Sequence, residues 1–403
     1  MNRYTWTLIE KMGADDALRQ MEAIHSLIAS HPAASLDHDP LWLQAEAKAH
    51  DATIRLYVCH DDKGALLGYA PFLVHGSAFE FAYGGHTLWH YPIRRYSITA
   101  TPLLQPELES AAAAVGALVE CVRRDLVGRD VLFLLGLHMD SATGHQIQAM
   151  PGVPGFLRMA HGPAYQRRRA EVKKTVDDYL ATLGPKTRQD LRRHERRLLK
   201  EANNEVRISV HTGAESVEGF LDAVERVSRQ TYQWNQLGIG IANKASTAEL
   251  LRASARNGWL RGYVLYAEEQ PIAFMVGHLY RGTYLSDSIG YDPAWHRLSA
   301  GNVLHLYVMS DLATLGDKAR WFDFMYGDNS NKERLSNESH IEQNYYLIPS
   351  SLRWRVLISA LNGFNRATDG VSTLLDRFGL KDKIRRALRR RSTDSVRGKN
   401  DET

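Results

Sequence analysis

The apolar positions follow one order twice along the chain. In the first half, β-branched and aromatic runs at 54–59 and 66–75 flank a turn at 61–64. Gly76-Ser77 then turns the chain into a run at 79–85. A helical stretch at 108–125 leads into the buried strand pattern at 131–137. The second half repeats this, with strands at 261–267, 272–280 and 283–291 and turns at 268–271 and 281–282. A helix over 299–315 then leads into a strand over 321–325. A meander that ends in a helical crossover builds a mixed, mostly antiparallel sheet. The expected fold class is α/β, with two tandem lobes flanked by helices.

Between the repeats, 176–183 reads as a short helix broken by Gly184-Pro185. A basic helix over 186–200, a strand over 206–211 and a helix over 218–230 follow. From Ser351 onward, Leu352, Val356, Leu357, Ala360, Leu361 and Phe364 recur at helical spacing, and the pattern runs into basic residues at 381–391. The chain therefore divides into lobes at 1–165 and 166–350 and an amphipathic, basic, helical tail at 351–403.

Composition adds limits. The 403 residues are 44% hydrophobic and 24% charged, the balance of a water-soluble globular protein. Two cysteines, Cys59 and Cys121, make no disulfide framework and no zinc spacing, so a reducing cytoplasm is the expected setting. The longest apolar run, 131–137, is too short to span a bilayer. Net charge is only +4, yet 186–200 holds seven basic and two acidic residues, and 381–391 holds seven and one. Such clusters fit phosphates or an anionic surface, and equally fit solvated helix faces. The tail is a candidate for peripheral contact with an anionic membrane at its inner face.

The candidate chemistry gathers between Gly290 and Lys332. A strand ends near Tyr291, and Ser299, Ala300, Gly301 and Asn302 open an apolar helix. Unpaired N–H groups at a helix start hold phosphate, small residues let it approach, and Arg297 supplies a charge. Ser299 fits a plain N-cap equally well. Candidate acid–base groups are His278, Asp287, Tyr291 and Asp323. Asp287 is the favoured base, because it lies one alternation from Leu285 and Ile289. Asp328 and Lys332 are expected to line the acceptor side. Trp89 and Tyr91, in the aromatic stretch 83–96, are expected to shape an acceptor pocket. His86 and His90 have metal-pair spacing without a carboxylate pattern, so no metal is expected.

Four segments carry a family likeness. They are the basic stretch 187–198, the strand 271–280, the loop Gly290–Pro293 leading to 299–304, and the segment 322–328 followed by Asn331-Lys332. Together they resemble the GNAT-superfamily acetyltransferases of bacterial cellulose and exopolysaccharide biosynthesis, relatives of the Fem-type aminoacyl transferases with double GNAT lobes. The likeness covers about 170–350 well and the first lobe loosely. It departs at Asn331, where the family has an aromatic residue, and at 297–302, where its donor signature is imperfect. The resemblance implies transfer of an acyl group, acetyl first, from acetyl-CoA or another acyl-CoA to an amine or hydroxyl. The implied acceptor is a small-molecule or lipid-linked sugar, or another envelope precursor. Aminoacyl-tRNA as donor is the nearest alternative, and a non-catalytic assembly factor is the third.

Overall fold

The computed structural model describes residues 4–83, 86–105, 108, 110–149, 155–230, 241 and 244–377. The strands are β1 (Thr5–Leu8), β2 (Thr53–His60), β3 (Leu66–Tyr83), β4 (His86–Ile98), β5 (Leu103–Leu104), β6 (Asp130–His138), β7 (Phe156–Glu171), β8 (Val206–His211), β9 (Gly262–Ala267), β10 (Gln270–Tyr280), β11 (Gly282–Tyr291), β12 (Ala319–Asp323) and β13 (Glu338–Pro349). The helices that matter below are α1 (Ala14–Ser30), α2 (Pro40–Ala49), α3 (Ala111–Asp125), α4 (Ala142–Ala149), α5 (Val176–Thr182), α6 (Pro185–Glu201), α7 (Val217–Gln230), α8 (Ala245–Arg256), α9 (Ala300–Ala313), α10 (Ser330–Leu335) and α11 (Leu352–Arg377).

All the described strands join one sheet in the order β1-β2-β3-β4-β6-β13-β7-β12-β11-β10-β9-β8, with β5 beside β3. The duplication is plain in it. In each half an antiparallel meander ends at a parallel pair, β4 with β6 and β11 with β12, bridged by α3 and α9 respectively. The two halves exchange strands. β13 enters beside β6 of the first half, and β7 reaches β12 of the second. The boundary expected at 165/166 therefore falls inside β7.

Two local expectations are corrected. Gly76-Ser77 is no turn: β3 runs through it to Tyr83 and pairs with β4 along Leu73↔Ser97 to Tyr83↔His86. The aromatic stretch 83–96 is thus mostly strand rather than a folded loop. Tyr91 packs on α11 against Trp354, whereas Trp89 stays half-exposed.

α9 shows why these residues form the element they do. Val303, Leu304, Leu306, Val308, Met309 and Leu312 leave almost no polar face, and all are buried. A helix apolar around its circumference must be covered on both sides. α9 is covered by β9, β10 and β11 below and by α5 and α6 above. Arg281 and Gly282, both in left-handed conformation, make the tight β10–β11 hairpin. Arg281 also donates to the carbonyls of Ala29 and His31, and Tyr280 donates to Asp39 at 3.0 Å. These bonds, with Leu36 and Trp42 packed on Tyr280 and Leu285, seat the start of the first lobe on the second. No helix among the described residues is long and apolar enough to cross a membrane.

Candidate active site

β11 and β12 pair only from Gly282↔Ala319 to Leu285↔Asp323. Beyond that point the two strands part, and a cavity of about 200 Å³ opens between them. β11 gives it Ser286, Asp287 and Ile289; α9 gives Gly301, Asn302 and His305; the segment after β12 gives Phe324, Met325 and Tyr326; α10 gives Asn331, Lys332 and Leu335.

A β-bulge aims Asp287 into this space. Val276 pairs with Ser288 and Gly277 with Ser286, so Asp287 faces no partner residue. An extra residue in one strand bends it and redirects its side chains. Asp287 therefore reaches the cavity together with Ser286 and Ile289, which strict alternation forbids. It makes no hydrogen bond within the described residues; the residue keeps an exposed edge to solvent, and desolvation on its cavity side raises its carboxyl above the ordinary range.

Gly301, Asn302 and His305 share one face of α9. A Cβ on Gly301 would stand 3.3 Å from Tyr291 Cδ1 and 3.8 Å from Ile289 Cδ1, so glycine lets the helix start lie against β11. Ser299 is left-handed (φ 52°) and its hydroxyl caps nothing; the capping alternative for this residue is set aside. Asn302 Oδ1 accepts from Asn331 Nδ2 at 2.9 Å, tying α9 to α10 across the cavity. Ala300 and Gly301 leave their N–H groups without a protein acceptor, and the exposed Arg297 stands beside them.

His305 is 2% exposed, and burial pushes it down to about 3, so its ring is neutral. Tyr179 Oη lies 2.7 Å from the Leu335 carbonyl and 2.9 Å from His305 Nε2. A carbonyl only accepts, so Tyr179 donates to Leu335 and His305 Nε2 donates to Tyr179. Nδ1 is then a bare acceptor on a ring that lines the cavity.

Lys332 is corrected from its expected role. Its ammonium donates to the carbonyls of Phe324 (2.7 Å), Tyr326 (2.7 Å) and Gly327 (3.0 Å). All three protons are committed, so it pins the cavity wall instead of binding an anion. Asp328 is not its partner: it takes Arg168 in a two-point pair at 2.6 and 3.2 Å, which holds its carboxyl below the usual range. Asp323 likewise accepts from Arg167 Nε through both oxygens at 3.1 Å and from the Met325 N–H at 2.7 Å. It is a structural anion, and Arg167 also faces Glu342 at 3.6 Å and the Tyr326 ring.

Other expected residues fall elsewhere. His278 is buried, accepts or donates at Ser254 Oγ (2.7 Å), stacks edge-on to Trp42, and is driven down to about 4 by burial. It is a satisfied core histidine outside the cavity. Tyr291 lies at the donor side with its hydroxyl 3.1 Å from His296 Nδ1. Trp89 and Tyr91 sit on β4 among Phe81, Arg129, Arg353 and Trp354, away from the cavity. The basic run 381–391 lies outside the described residues.

Sequence reasoning missed His305, which a helical projection from Gly301 (i, i+4) would have found. It also missed Asp37 and Glu46. Both come from the first lobe and sit within electrostatic reach of Asp287. Burial, reinforced by the neighbouring carboxylates, pushes Glu46 up to about 8. Burial likewise raises Asp37 to about 6, against the opposing pull of Arg167.

The comparisons agree with this layout. Residues 185–333 match the family described as acetyltransferase (GNAT) domain, the segment that builds every wall of the cavity but the last residue, Leu335. No curated protein matches the sequence. Among solved structures, the chain is similar to FemX at 11% identity over 84% of this chain and 98% of that one, with a TM-score of 0.57. It is also similar to a conserved protein of unknown function from Bacteroides thetaiotaomicron at 14% identity, over 82% and 97%, with a TM-score of 0.51. Residues 185–333 thus match the GNAT acetyltransferase domain family, and the chain as a whole shares the fold of FemX.

Proposed function

We propose that the protein transfers an acyl group, acetyl first, from an acyl-CoA to a nucleophile on a sugar or another cell-envelope precursor. The observation that carries this is the cavity at the parting of β11 and β12, entered beside the uncapped start of α9 and holding one unpaired carboxylate, Asp287. The N–H groups of Ala300 and Gly301 and the Arg297 guanidinium suit a pyrophosphate. The edge of β11 beyond Leu285 offers backbone groups to an extended, amide-bearing arm. Asp287, its carboxyl raised by desolvation, suits the general base that frees the acceptor's lone pair. The incoming atom then attacks the thioester carbonyl, and the sulfur leaves. The acceptor class rests on the family resemblance alone.

A thermal-shift panel of acetyl-CoA, longer acyl-CoAs and aminoacyl-tRNA tests this. Saturable stabilisation by an acyl-CoA at high salt is expected. Stabilisation by aminoacyl-tRNA alone, lost steeply with salt, favours the second reading, a Fem-like transferase. Two observations support that reading: the likeness to FemX, and the side of α6 where Lys186, Arg188, Arg196, Arg197 and Lys200 are exposed with no carboxylate partner among the described residues. α6 packs beside the turn that carries Arg297, so its charge borders the donor entrance.

A further inference from the structure

We propose that the face built by α11 and the outer end of the β3–β4 pair docks on an anionic lipid surface. It uses different residues from the acyl-transfer reading and stands or falls without it.

α11 is apolar on two sides. Its inner side, with Trp354, Leu357, Ile358, Leu361 and Phe364, packs on Phe79, Phe81, Tyr91 and Tyr346 of the sheet. That contact already covers the one apolar stripe a surface helix needs. Leu352 and Val356, one turn apart, lie on the opposite side and are 79% and 61% exposed. Ser359, Gly363 and Ala367 continue their line in the open, and no charge interrupts it. Beside the helix, the Trp89 ring rests on Phe81 at 4.9 Å between centroids, and Phe81 meets Phe364 at 5.4 Å. Trp89 is nevertheless 51% exposed. Phe81 pairs with Trp89 and Ala82 with Thr87, so a bulge leaves Leu88 without a partner residue and 66% exposed. Apolar side chains gathered in this way on a water-soluble chain mark a contact surface.

The charges around it select the partner. Arg353, Arg355 and Arg366 flank the outer line of α11. Arg129 joins Arg353 over the Tyr91 ring, at 5.0 and 5.4 Å from its centroid. All four arginines are exposed, and none has a carboxylate partner among the described residues. Residues 350–368 contain no Asp or Glu. The neighbouring Glu80 alternates to the other side of β3 from Phe79 and Phe81, where it accepts from Thr87 at 3.3 Å. Past Arg377 the sequence runs on into 381–391, with seven basic residues and one acidic. Apolar side chains ringed by arginines suit the boundary between headgroups and acyl chains. The apolar groups enter, the guanidiniums reach back to the phosphates, and tryptophan sits at headgroup level. A second copy of the chain is a poorer occupant. Two-fold pairing sets this face against itself and brings the arginines together with no carboxylate to neutralise them.

The test mixes the full chain with vesicles of phosphatidylcholine, or of a three-to-one mixture with phosphatidylglycerol, and reads co-sedimentation at low and high salt. Binding is expected to the anionic vesicles alone and should fall with salt. Leu352→Glu with Val356→Glu should weaken it about tenfold or more, since two apolar groups are lost from the contact and two repelled charges gained. Arg353→Gln with Arg355→Gln should weaken it about fivefold for each charge removed. These positions are exposed, so circular dichroism and melting temperature should match the parent. Trp89→Ser, on a strand apart from α11, should act in the same direction if the helix variants disturb their helix. Equal binding to neutral vesicles, no binding to either kind, or parent-like binding in the Leu352/Val356 and Trp89 variants overturns the proposal. A dimer in solution that Leu352→Glu with Val356→Glu splits gives the face to a second copy and overturns it too.

Discussion

Replacing Lys332 with methionine separates two roles that the sequence left open. The side chain keeps its length and apolar stem and loses three donors. The carbonyls of Phe324, Tyr326 and Gly327 then lose an ammonium at 2.7, 2.7 and 3.0 Å. A hydrogen bond to a charged group contributes about 1.5–3 kcal/mol, but this site is half-buried and water recovers part, so a total of about 2–3 kcal/mol is expected. The loop also holds Met325 at φ 55° and Gly327 at φ 76°. A left-handed methionine costs about 1–2 kcal/mol and persists because the surroundings impose it. Losing the pin lets that loop relax, which displaces the cavity wall and lowers kcat/KM by about ten- to a hundredfold. Urea unfolding measures the first effect, and acyl-CoA titration with steady-state kinetics measures the second. A variant as stable as the parent that has lost donor or acceptor affinity would falsify the pinning role and restore Lys332 as a substrate ligand.

Gly301→Val places a branched side chain where even a methyl stands 3.3 Å from Tyr291, so acyl-CoA stabilisation in thermal shift should vanish while the far-UV circular dichroism stays native; retained affinity defeats the donor assignment. Asp287→Asn should lower kcat/KM by about 10²–10⁴ and remove the low-pH limb of the profile, which in the parent lies above the ordinary carboxylate range because desolvation raises Asp287; a limb that survives the substitution points to another base. Glu46→Gln should raise the melting temperature at alkaline pH. The folded protein holds this proton up to about pH 8 and the unfolded chain releases it near the ordinary glutamate value of 4.5, so the parent loses stability as pH rises through that window. The gain should be absent at pH 4 and complete above pH 8; a gain independent of pH would show that the charge is not responsible.

Much of the second lobe was legible because its signals are local. Arg281-Gly282, Pro293 and the apolar helix after Ser299 each dictate their own conformation, and the strands between them are dense in β-branched and aromatic residues. β7 and β13 were not legible. Each is polar along much of its length, as in Arg167-Arg168-Arg169, because those side chains form ion pairs across the strand-exchanged joint instead of a core. Within the site, Asp287 and Gly301 follow from sequence, but the bulge that aims Asp287 does not, since register is set between strands. His278, Asp323 and Lys332 looked equally chemical. Only their partners distinguish them: Ser254, Arg167 and three backbone carbonyls use up what they offer. Asp37 and Glu46 had no signal, because nothing in 30 to 50 announces a contact with a strand some 240 residues on.

The duplication itself explains why one lobe holds the chemistry. In the first lobe the parallel pair β4 and β6 continues from Arg94↔Asp130 to Ile98↔Leu134, and the space under α3 is a void of about 30 Å³ walled by Ile98, Val115, Leu118, Leu132 and Leu134. Ser110 caps α3 by accepting from Ala113 N–H at 3.2 Å, whereas Ser299 leaves the start of α9 open. A small apolar void and a capped helix offer neither room nor a polar handle to a phosphate-bearing donor. The first lobe instead packs on the second through the segment that carries Leu36 and Trp42. Its seating depends on Tyr280, which donates to Asp39, and on Arg281, which donates to Ala29 and His31. The β10–β11 hairpin therefore ties the strand that carries the bulge at Asp287 to the lobe that packs against it.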